Sequence, residues 1–429
     1  MLPSNSSQPV ATLQQVEVGR ASLEAYRDVA GDSIIDEVTA LARKLKGVRL
    51  LHLNSTATGG GVAELLNSLV PLEIDCGLDV EWRVLFPDGD LFRVTKGFHN
   101  GLQGGQERLD AQGRETYLTH NRHCAEMLPA REYDVVIVHD PQPAAVPSFA
   151  ESSEVRWVWR CHIDSSQPSI EVWDFLRPYV SQYAAAVFTM QEFVPPGLVG
   201  PSLHFIPPAI DPLSPKNRPL PKYLCREEVA HFGIDLVRPL IIQVARFDRW
   251  KDPQGVIDAY HLVKKELPQA QLALIGAMAQ DDPEGWEIYN LILHRAREDP
   301  DIRVLTNLNG VGAHEVNAFQ RVADVAIQKS IREGFGLVVS EAVWKETPMV
   351  AGNTGGIPLQ IQNGIGGFLV NSAEECAERT LFLLTHSDEA AAIARRGRER
   401  VREHFLMPRL LRDELRLVDS LLNPEGTSH

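Results

Sequence analysis

The distribution of apolar and polar positions along the first half of the chain predicts a series of parallel strands. Short, continuous apolar runs, of the kind that parallel sheets bury on both faces, alternate with segments of helical length and period. The runs that we predict as strands occupy residues 48–54, 80–86, 134–139, 155–162 and 184–189. Strands that alternate with helices indicate right-handed βαβ units and a doubly wound sheet.

A Pro-rich segment separates this series from a second one. Residues 206–221 contain six prolines and no amphipathic period, which is typical of an interdomain linker. Beyond it, the predicted strands occupy residues 240–244, 271–275, 302–305, 325–328, 348–351 and 367–370. The sequence therefore predicts an α/β protein with two Rossmann-like doubly wound domains that face an interdomain cleft. We place the domains at 1–214 and 215–397, with an amphipathic helical tail at 398–422 that is broken near Pro408, and expect ligands at the carboxyl ends of the strands.

Composition limits the partners and the cellular location. The 429 residues are 44% hydrophobic and 23% charged, which suits two packed domains. The net charge of −15 argues against nucleic acid and anionic membranes as partners, because both attract clustered Lys and Arg. The five cysteines have no zinc-type spacing, and no apolar run has the length of a signal-peptide core or a transmembrane helix. We therefore expect a cytoplasmic protein that is not inserted in a membrane.

Two glutamates in the segment 329–344 are candidates for ligand binding. Glu333 begins a tight turn with Gly334 and Gly336, directly after a predicted strand. Glu341 follows eight positions later, about two helical turns, so we expect both carboxylates to point toward one region. Carboxylates accept hydrogen bonds from sugar hydroxyls. The structural alternative is a capped helix with a solvated glutamate.

Two cations follow another predicted strand. Arg246 and Lys251 lie between the strand at 240–244 and a helix that Pro253 begins. Two cations beside a helix N-terminus can clamp a diphosphate without a metal ion. Solvated loop charges are the alternative.

Glycine and polar residues also follow strands of the first domain. Gly60 and Gly61 end a loop at 54–61 that joins a strand to a helix, an arrangement that binds phosphate, although it is neither a P-loop nor a GxGxxG fingerprint. His162 ends one strand and a His–Asp pair ends another, whereas we predict residues 96–100 to be a polar loop. From the residues alone, structural turns explain these groups equally well.

Together, these motifs resemble the retaining nucleotide-sugar glycosyltransferases of the GT-B fold, family four. The Glu-x7-Glu signature, the Arg/Lys pair, the glycine loop and a GG-x-P turn at 355–358 occur in family order, and the resemblance covers nearly the whole chain. Longer strings are similar to the trehalose synthases of the glycosyl-transferring type, namely HLNSTATGGGVAELLNSLVPL, FHNGLQG, VHDPQP, WRCHID and IQKSIREGFGL. The fungal-type trehalose phosphorylases are the next most similar group.

The resemblance implies a role for each candidate residue. Four residues are the catalytic candidates: Glu333 would bind glucose hydroxyls, Arg246 and Lys251 would hold the diphosphate, and His162 would contact the glucose C6 region. The residues that would bind the donor are Gly60, Gly61, Glu341 (on the ribose), Gly334, Phe335, Gly336, Leu337, Gly355 and Gly356. The residues that would orient the acceptor are Asn100, Asp140, Gln142 and Asp164. The family also implies a homodimer, and a C-terminal segment, 398–429, that packs back on the first domain.

The implied reaction is the reversible formation of trehalose from a nucleoside-diphosphate glucose and free glucose. Front-face substitution would retain the configuration of the transferred anomeric carbon, and no sequence feature nominates a carboxylate nucleophile of the glycosidase kind. No DxD-type motif stands at a matching strand end, so we predict no metal ligands and no obligatory cofactor, with Mg²⁺ at most stimulatory. The donor base, as in UDP-glucose or ADP-glucose, is not fixed, because residues 305–312 would recognise it through backbone groups.

Three other functions stay open from the sequence. A trehalose phosphorylase would use glucose 1-phosphate and no nucleotide. A GT-B sugar-nucleotide epimerase would need no acceptor. A non-catalytic sugar-nucleotide sensor would bind the donor without turnover.

Overall fold

A computed structural model of the chain describes residues 13–58, 60–85, 89–151, 154–278 and 283–424, and its strands form two sheets. The strands of the first sheet are β1 (Gln14–Gln15), β2 (Arg49–Asn54), β3 (Asp79–Val84), β4 (Val135–His139), β5 (Arg156–Arg160), β6 (Ala185–Phe188) and β7 (Ser202–Phe205). The strands of the second sheet are β8 (Leu240–Val244), β9 (Gln271–Gly276), β10 (Ile302–Thr306), β11 (Val325–Gln328), β12 (Met349–Gly352) and β13 (Phe368–Val370). Apart from β1, which is antiparallel to β3, neighbouring strands in both sheets are parallel.

Helices connect the strands, as the sequence predicts. The described α-helices are α1 (Arg27–Ala30), α2 (Asp32–Lys44), α3 (Gly61–Asp75), α4 (Gly89–Leu102), α5 (Ala111–Met127), α6 (Ile170–Val180), α7 (Lys222–His231), α8 (Pro253–Glu266), α9 (Pro283–Ala296), α10 (Ala313–Val322), α11 (Leu337–Trp344), α12 (Ile357–Gln360), α13 (Ala373–Thr385), α14 (Ser387–His404) and α15 (Met407–Leu422). None of the described helices is long and apolar enough to span a lipid bilayer.

The order of the described strands reverses within each sheet. The first sheet has the order β1-β3-β2-β4-β5-β6-β7, so the chain goes from β2 to β3 and then continues on the other side of β2 with β4. The second has the order β10-β9-β8-β11-β12-β13, with the reversal between β8 and β11. Open α/β sheets bind ligands outside the carboxyl ends of the strands at such a reversal. We call the loops after β2 and β4 the first switch point, and those after β8 and β11 the second switch point.

The described residues divide into two units whose bounds differ from the predicted domains. The first unit comprises 13–23, 36–206 and 411–424, and the second comprises Glu24–Ile35 and Pro207–Leu410. The predicted linker belongs to the second unit from Pro207 onward, and its backbone pairs there. Ile210 N donates to the Phe405 carbonyl at 2.8 Å, and Met407 N donates to the Ile210 carbonyl at 3.0 Å. Of the predicted tail, only the part from Leu411 onward lies in the first unit.

A short amino-terminal segment of the second unit has no signal in the apolar pattern. Residues Glu24–Ile35 belong to that unit although they precede the whole first sheet. Tyr26 Oη donates to Asp211 Oδ1 at 2.9 Å, and Arg402 Nε donates to the Val29 carbonyl at 3.2 Å. These contacts join residues that lie far apart along the chain, which a local pattern cannot predict.

The strands that the apolar pattern predicts agree with the structure within two residues, but β1 and β7 were not predicted, and one helix was predicted as a loop. Residues 96–100, which we predict as a polar loop, lie inside α4. Phe98 of this helix is fully buried, and a Cβ atom at Gly101 would come within 2.6 Å of Val172 Cγ2 on α6. Gly101, just after the predicted loop, therefore allows close packing of α4 against α6. Residue 86 of the predicted strand at 80–86 and Gly59 of the glycine loop lie outside the described residues.

Helices cover both faces of the second sheet with apolar side chains. On β8, Ile242 packs in one buried cluster and Ile241 in another, as alternation along a strand requires.

The helical tail is broken between α14 and α15. Pro408 lies in the first turn of α15, close to the predicted break.

Candidate active site

The second switch point brings a predicted cation and a predicted carboxylate into contact. Lys251 follows β8 and Glu333 follows β11, and these two strands are neighbours. The Lys251 Nζ atom lies 2.6 Å from Glu333 Oε2, which also accepts a hydrogen bond from Ser330 Oγ at 3.0 Å. Both Glu333 and Ser330 are buried. The sheet topology therefore assembles the centre of the site from two segments that lie far apart in sequence.

The loop after β8 is shaped by two aspartates that the motif analysis did not select. Asp248 accepts hydrogen bonds from the backbone of Trp250 and Lys251, which fixes a 3₁₀ turn at Arg249–Lys251. Asp252 accepts from Gly255 N and so caps α8. Asp252 thus occupies one backbone amide at the start of this helix. On the same loop, the Arg246 side chain is 60% exposed, and its Nη2 atom lies 3.4 Å from Asp248 Oδ2.

Two glycine turns pack against each other beside Glu333. Gly356 N donates to the Gly334 carbonyl at 3.0 Å, and a Cβ atom at Gly355 would lie only 1.7 Å from the Glu333 carbonyl oxygen. Gly355 and Gly336 both have positive φ, 54° and 80°, a conformation that other residues rarely adopt. The predicted turn at 333–336 and the GG turn at 355–356 therefore form one structure.

The side chains of Phe335 and Leu337, at the end of this turn, differ in their burial. Phe335 is buried and contacts the ring of Phe405, with centroids 5.5 Å apart. It can therefore offer a ligand its backbone rather than its ring. Leu337 begins α11 and is partly buried.

Glu341 lies on α11, but the helical-spacing argument that links it to Glu333 was wrong. The helix begins at Leu337, after Gly336 in the left-handed conformation, so Glu333 is not on the helix. Glu341 is buried, and its Oε1 atom lies 2.9 Å from Lys216 Nζ. Its Oε2 atom is buried and has no hydrogen-bond partner among the described residues. The two glutamates thus have different cationic partners.

The glycine loop after β2 precedes α3, as the sequence predicts. Gly60 is the N-cap of α3 and has extended backbone angles, and its carbonyl accepts from Glu64 N at 3.0 Å. Gly60 and Gly61 are exposed, and a Cβ atom at Gly60 would meet nothing within 4 Å. Gly60, as the N-cap residue, has no side chain that could cap this helix. The start of α3 is thus accessible at the first switch point.

A chain of three histidines crosses the carboxyl ends of β2, β4 and β5. His162 Nε2 lies 3.0 Å from His139 Nδ1, and His139 Nε2 lies 3.0 Å from His52 Nδ1. His52 and His139 are fully buried, whereas His162 is partly exposed. Burial is the main cause that lowers the pKa of His52 to about 4 and holds the pKa values of His139 and His162 well below their ordinary value. All three rings are therefore neutral at neutral pH.

A buried charged cluster lies at the inner end of this histidine chain. His52 Nε2 is 3.0 Å from Glu73 Oε2 on α3 and 3.5 Å from Glu414 Oε1 on α15. Arg160 at the end of β5 donates to Glu414. Burial raises the pKa of Glu73 to about 8 and that of Glu414 to about 7. One guanidinium and two carboxyls thus share a site that favours a single negative charge.

Asp140 holds the backbone around His162. Its φ is 62°, and its Oδ1 atom accepts from His162 N at 2.8 Å. Trp159 Nε1 donates to the Asp140 carbonyl at 3.0 Å. Burial is the main cause that raises the pKa of Asp140 to about 7. The carboxyl therefore positions the strand end that carries His162.

The other predicted acceptor residues differ in how available their side chains are. The Gln142 carbonyl accepts from Asn121, while its buried side-chain Oε1 atom has no partner among the described residues. Asp164 is engaged in a local turn, because its Oδ1 atom accepts from the backbone and hydroxyl of Ser166. Asn100 Nδ2 donates to Glu107 at 3.3 Å. Gln142 is thus the best placed of these three for a further hydrogen bond.

Several polar groups of these sites escaped the motif search. They are Ser330, Asp248, Asp252, Lys216, His52, Glu73, Arg160 and Glu414. A usable signal was an ionisable residue at an otherwise apolar position. His52 interrupts a buried strand, and Glu414 lies on the helix face that also carries the buried Leu411 and Val418. Lys216 offered no such signal, since it lies in the Pro-rich segment.

The chain matches known families over both of its units. It fits the models "Trehalose synthase, N-terminal domain" over residues 52–195 and "Glycosyl transferases group 1" over residues 226–400. It is 51% identical to a trehalose synthase of Rubrobacter xylanophilus, with 96% of this chain and 99% of that protein covered. A trehalose synthase of Thermococcus litoralis is 47% identical, with 93% and 97% covered. A trehalose phosphorylase of Pleurotus pulmonarius is 32% identical over 86% of this chain and 56% of that protein.

Solved structures share the fold at low sequence identity. A sucrose-phosphate synthase from Thermosynechococcus elongatus aligns with a TM-score of 0.69 and 17% identity over 88% of this chain and all of that one. A trehalose 6-phosphate synthase from Burkholderia multivorans aligns with a TM-score of 0.67 and 16% identity, covering 89% and 99%.

Two parallel-sheet units with cations and glutamate at a switch point, together with the group 1 match, define a glycosyltransferase of the GT-B fold. The extent and identity of the matches then identify the family. The chain belongs to the trehalose synthase family.

Proposed function

We propose that the enzyme forms trehalose by transferring glucose from a nucleoside-diphosphate glucose to free glucose, and that the reaction is reversible. The observation that carries this proposal is the contact between Lys251 and Glu333 at the second switch point, with the exposed Arg246 on the same loop. A diphosphate needs cations, and a hexose needs carboxylate acceptors, so this pair serves both parts of the donor. The family relationship supplies the identity of the disaccharide.

The second unit is proposed to bind the donor. Arg246 and Lys251 bind the diphosphate, and Glu333 accepts hydrogen bonds from glucose hydroxyls. Glu341 accepts from the ribose, a role that its partnerless buried Oε2 atom supports. The packed glycine turns bring the backbone amides at 334–337 and 355–356 close to the same ligand.

The first unit is proposed to bind sugar hydroxyls and to assist with the phosphates. Gly60 and Gly61 leave the start of α3 accessible to a phosphate group. His162 contacts a glucosyl hydroxyl, and Gln142 offers the acceptor sugar an unused amide oxygen. Asn100 and Asp164 are weaker members of this group, because their side chains already have partners.

The proposed mechanism is front-face substitution with retention. The bond between the glucose anomeric carbon and the diphosphate oxygen breaks, and a bond to the acceptor hydroxyl oxygen forms on the same face. The acceptor proton passes to the leaving phosphate oxygen. Lys251 and Arg246 stabilise the negative charge that develops on the diphosphate, an interaction worth several kcal/mol in a site that excludes water.

We also propose that no metal ion is required and that Mg²⁺ at most stimulates the reaction. The support is chemical: two cationic side chains flank the same loop, so the diphosphate charge can be met without a metal. Activity that is lost on chelation and restored by Mg²⁺ would contradict this.

A donor screen with free glucose as acceptor tests the proposed function. UDP-, ADP- and GDP-glucose are offered separately, the released nucleotide is measured, and NMR identifies the linkage of the disaccharide. Trehalose from at least one nucleotide donor is the expected result. Trehalose from glucose 1-phosphate alone would instead establish the second candidate, a phosphorylase, which the 32% identity to such an enzyme keeps in view.

A cytoplasmic location and a homodimer complete the proposal. All five cysteines are free, which suits a reducing compartment. The homodimer rests on family resemblance, and light scattering of the purified protein tests it.

A further inference from the structure

The histidine chain of the first unit leads from a partly exposed position into the interior of the unit. Its outer ring, His162, is partly exposed, while His139 and His52 are buried. The ring nitrogens of His139 contact the other two histidines, and those of His52 contact His139 and the buried carboxyls. Three buried or half-buried imidazoles in series are costly unless each donor meets an acceptor. Because each neutral ring has one donor and one acceptor nitrogen, the hydrogen bonds of the chain must all run in one direction.

The charged cluster at the inner end sets this direction. Arg160 donates to Glu414, which makes Glu414 the ionised member of the two carboxyls. The second Glu414 oxygen lies 3.5 Å from His52 Nε2, and Glu73 Oε2 lies 3.0 Å from the same nitrogen and can accept its hydrogen bond. An ionised oxygen opposite Nε2 favours a proton on that nitrogen, so His52 donates inward.

Once His52 donates inward, the remaining protons follow. His52 Nδ1 becomes an acceptor and receives a hydrogen bond from the Nε2–H group of His139. His139 Nδ1 then accepts from His162 Nε2. His162 is left with an unprotonated Nδ1 atom, which has no partner among the described residues. The charged groups that border this chain are Glu73 on α3, Glu414 on α15, Arg160 on β5 and Asp140 after β4.

We propose that His52 and His139 are positioning residues that hold His162 as the neutral tautomer protonated at Nε2, so that its Nδ1 atom accepts a hydrogen bond from a substrate hydroxyl. This inference rests on the proposed function in that the hydroxyl belongs to a glucosyl unit. The arrangement selects a hydroxyl that donates, and it keeps a positive charge away from the reacting anomeric carbon, where positive charge develops during transfer.

We infer that the charged cluster at the inner end of the chain is held together by hydrogen bonds and does not bind a metal ion. Donor atoms of His52, Glu73 and Glu414 lie within 4.8 Å of one another, a spacing that a cation could use. However, the Arg160 guanidinium already contacts Glu414 and would repel a divalent ion beside it. A stoichiometric metal ion in the purified protein, removable by a chelator with loss of the histidine signals described next, would overturn the assignment.

Nitrogen NMR of the intact protein tests the tautomer directly. In protein labelled with ¹⁵N in its histidine rings, two-bond proton–nitrogen correlations distinguish the Nε2–H tautomer, the Nδ1–H tautomer and the imidazolium ion. His162→Asn, His139→Gln and His52→Asn assign the three signals. We expect all three rings to be neutral and protonated at Nε2 between about pH 7 and pH 8, where the inner cluster carries one negative charge. An Nδ1–H tautomer or an imidazolium ion at His162 would overturn the proposal, whether or not the enzyme turns over the proposed substrates.

Two variants of the middle residue test the consequence for activity. In His139→Gln, the amide oxygen can accept from His162 and the amide nitrogen can donate to His52, so the direction is kept. In His139→Leu, the direction is lost. We expect kcat/KM to fall about tenfold or more in His139→Leu, the equivalent of one lost hydrogen bond, and to recover largely in His139→Gln. His139→Leu should also lose activity on the acid side of the pH profile, because His162 can then bind a proton.

A matched pair of controls separates positioning from general packing. His204 lies on β7 of the same sheet, outside the chain of three, and its ring contacts Ser202. His204→Gln and His204→Leu should leave the pH profile unchanged. Equal activities of His139→Gln and His139→Leu, with unchanged pH profiles, would overturn the positioning role.

Discussion

The second switch point presents charge, whereas the first buries it. After β8 and β11, Arg246 is largely exposed and Lys251 pairs with Glu333 at the edge of the sheet. After β2 and β4, the ionisable groups lie inside the unit, and neutral histidines connect them with the edge. The same topological feature thus serves two chemistries. One suits an anionic diphosphate, and the other suits a neutral sugar that is recognised by the direction of hydrogen bonds.

The largest effect is expected from the charged side of this comparison. Lys251→Ala removes the cation closest to Glu333, and we expect kcat to fall about 100- to 1,000-fold, or about 3 to 4 kcal/mol, because charge that develops on the diphosphate loses its partner. Donor KM should change much less. Steady-state kinetics with the best donor of the screen measures both. Lys265→Ala, an exposed lysine of α8, is the matched control, and wild-type turnover in Lys251→Ala would refute the clamp.

The next largest effect is a difference in stability between alanine substitutions of glycines at the two switch points. Gly355→Ala should lower the unfolding free energy by about 2 kcal/mol or more, because φ is positive and the Cβ atom would overlap the Glu333 carbonyl. Gly60→Ala has an ordinary backbone and open space, so its cost should be at most about 1 kcal/mol, that of a weaker N-cap. Calorimetric unfolding compares the two variants. Equal destabilisation would mean that the packed turns do not constrain Gly355.

The buried carboxyl of Glu73 near the first switch point should make the free energy of unfolding depend on pH. Burial raises the pKa of Glu73 to about 8, so the folded chain holds a proton that the unfolded chain releases. Its contribution is fully present below the unfolded pKa of about 4.5 and is lost as the pH rises through 8. Above about pH 7.5, histidines are mostly neutral in both states, so stability should fall there by up to about 1.4 kcal/mol per pH unit for this proton.

Glu73→Gln provides the comparison for this slope. The amide keeps the size of the carboxyl but cannot titrate, so the difference between wild-type and variant unfolding temperatures should shift steadily from pH 6.5 to pH 8. Titrating groups outside the buried cluster cancel in the difference. A constant difference across this range would show that Glu73 is already ionised in the folded protein.

The parts of the site that sequence could predict are those fixed by local position. Arg246, Lys251 and Glu333 each follow a strand end, and parallel strands bring such ends to one edge of a sheet. The fold was predictable for the same reason, since alternating strands and helices determine the layers. By contrast, the contact of Glu414 with Arg160 joins residues 254 positions apart and depends on where α15 packs. Such contacts have at most a weak local signal, an ionisable residue on an apolar face.

The smallest predicted effect is a difference between the two substrates in how their KM values depend on salt concentration. Exposed cations at the second switch point attract a charged donor over roughly one Debye screening length. This length falls from about 14 Å at 0.05 M salt to about 4 Å at 0.5 M. Donor KM should therefore rise a few fold over this range, an effect below about 1 kcal/mol. Glucose is neutral and would meet neutral histidine and amide groups, so its KM should stay nearly constant. Initial rates at saturating concentrations of the other substrate measure each KM. Because kcat is compared in the same experiment, a loss of turnover through unfolding is separated from weaker attraction. If the glucose KM rises as steeply as the donor KM, salt acts on the whole protein, and the division between a charged donor region and a neutral acceptor region is wrong.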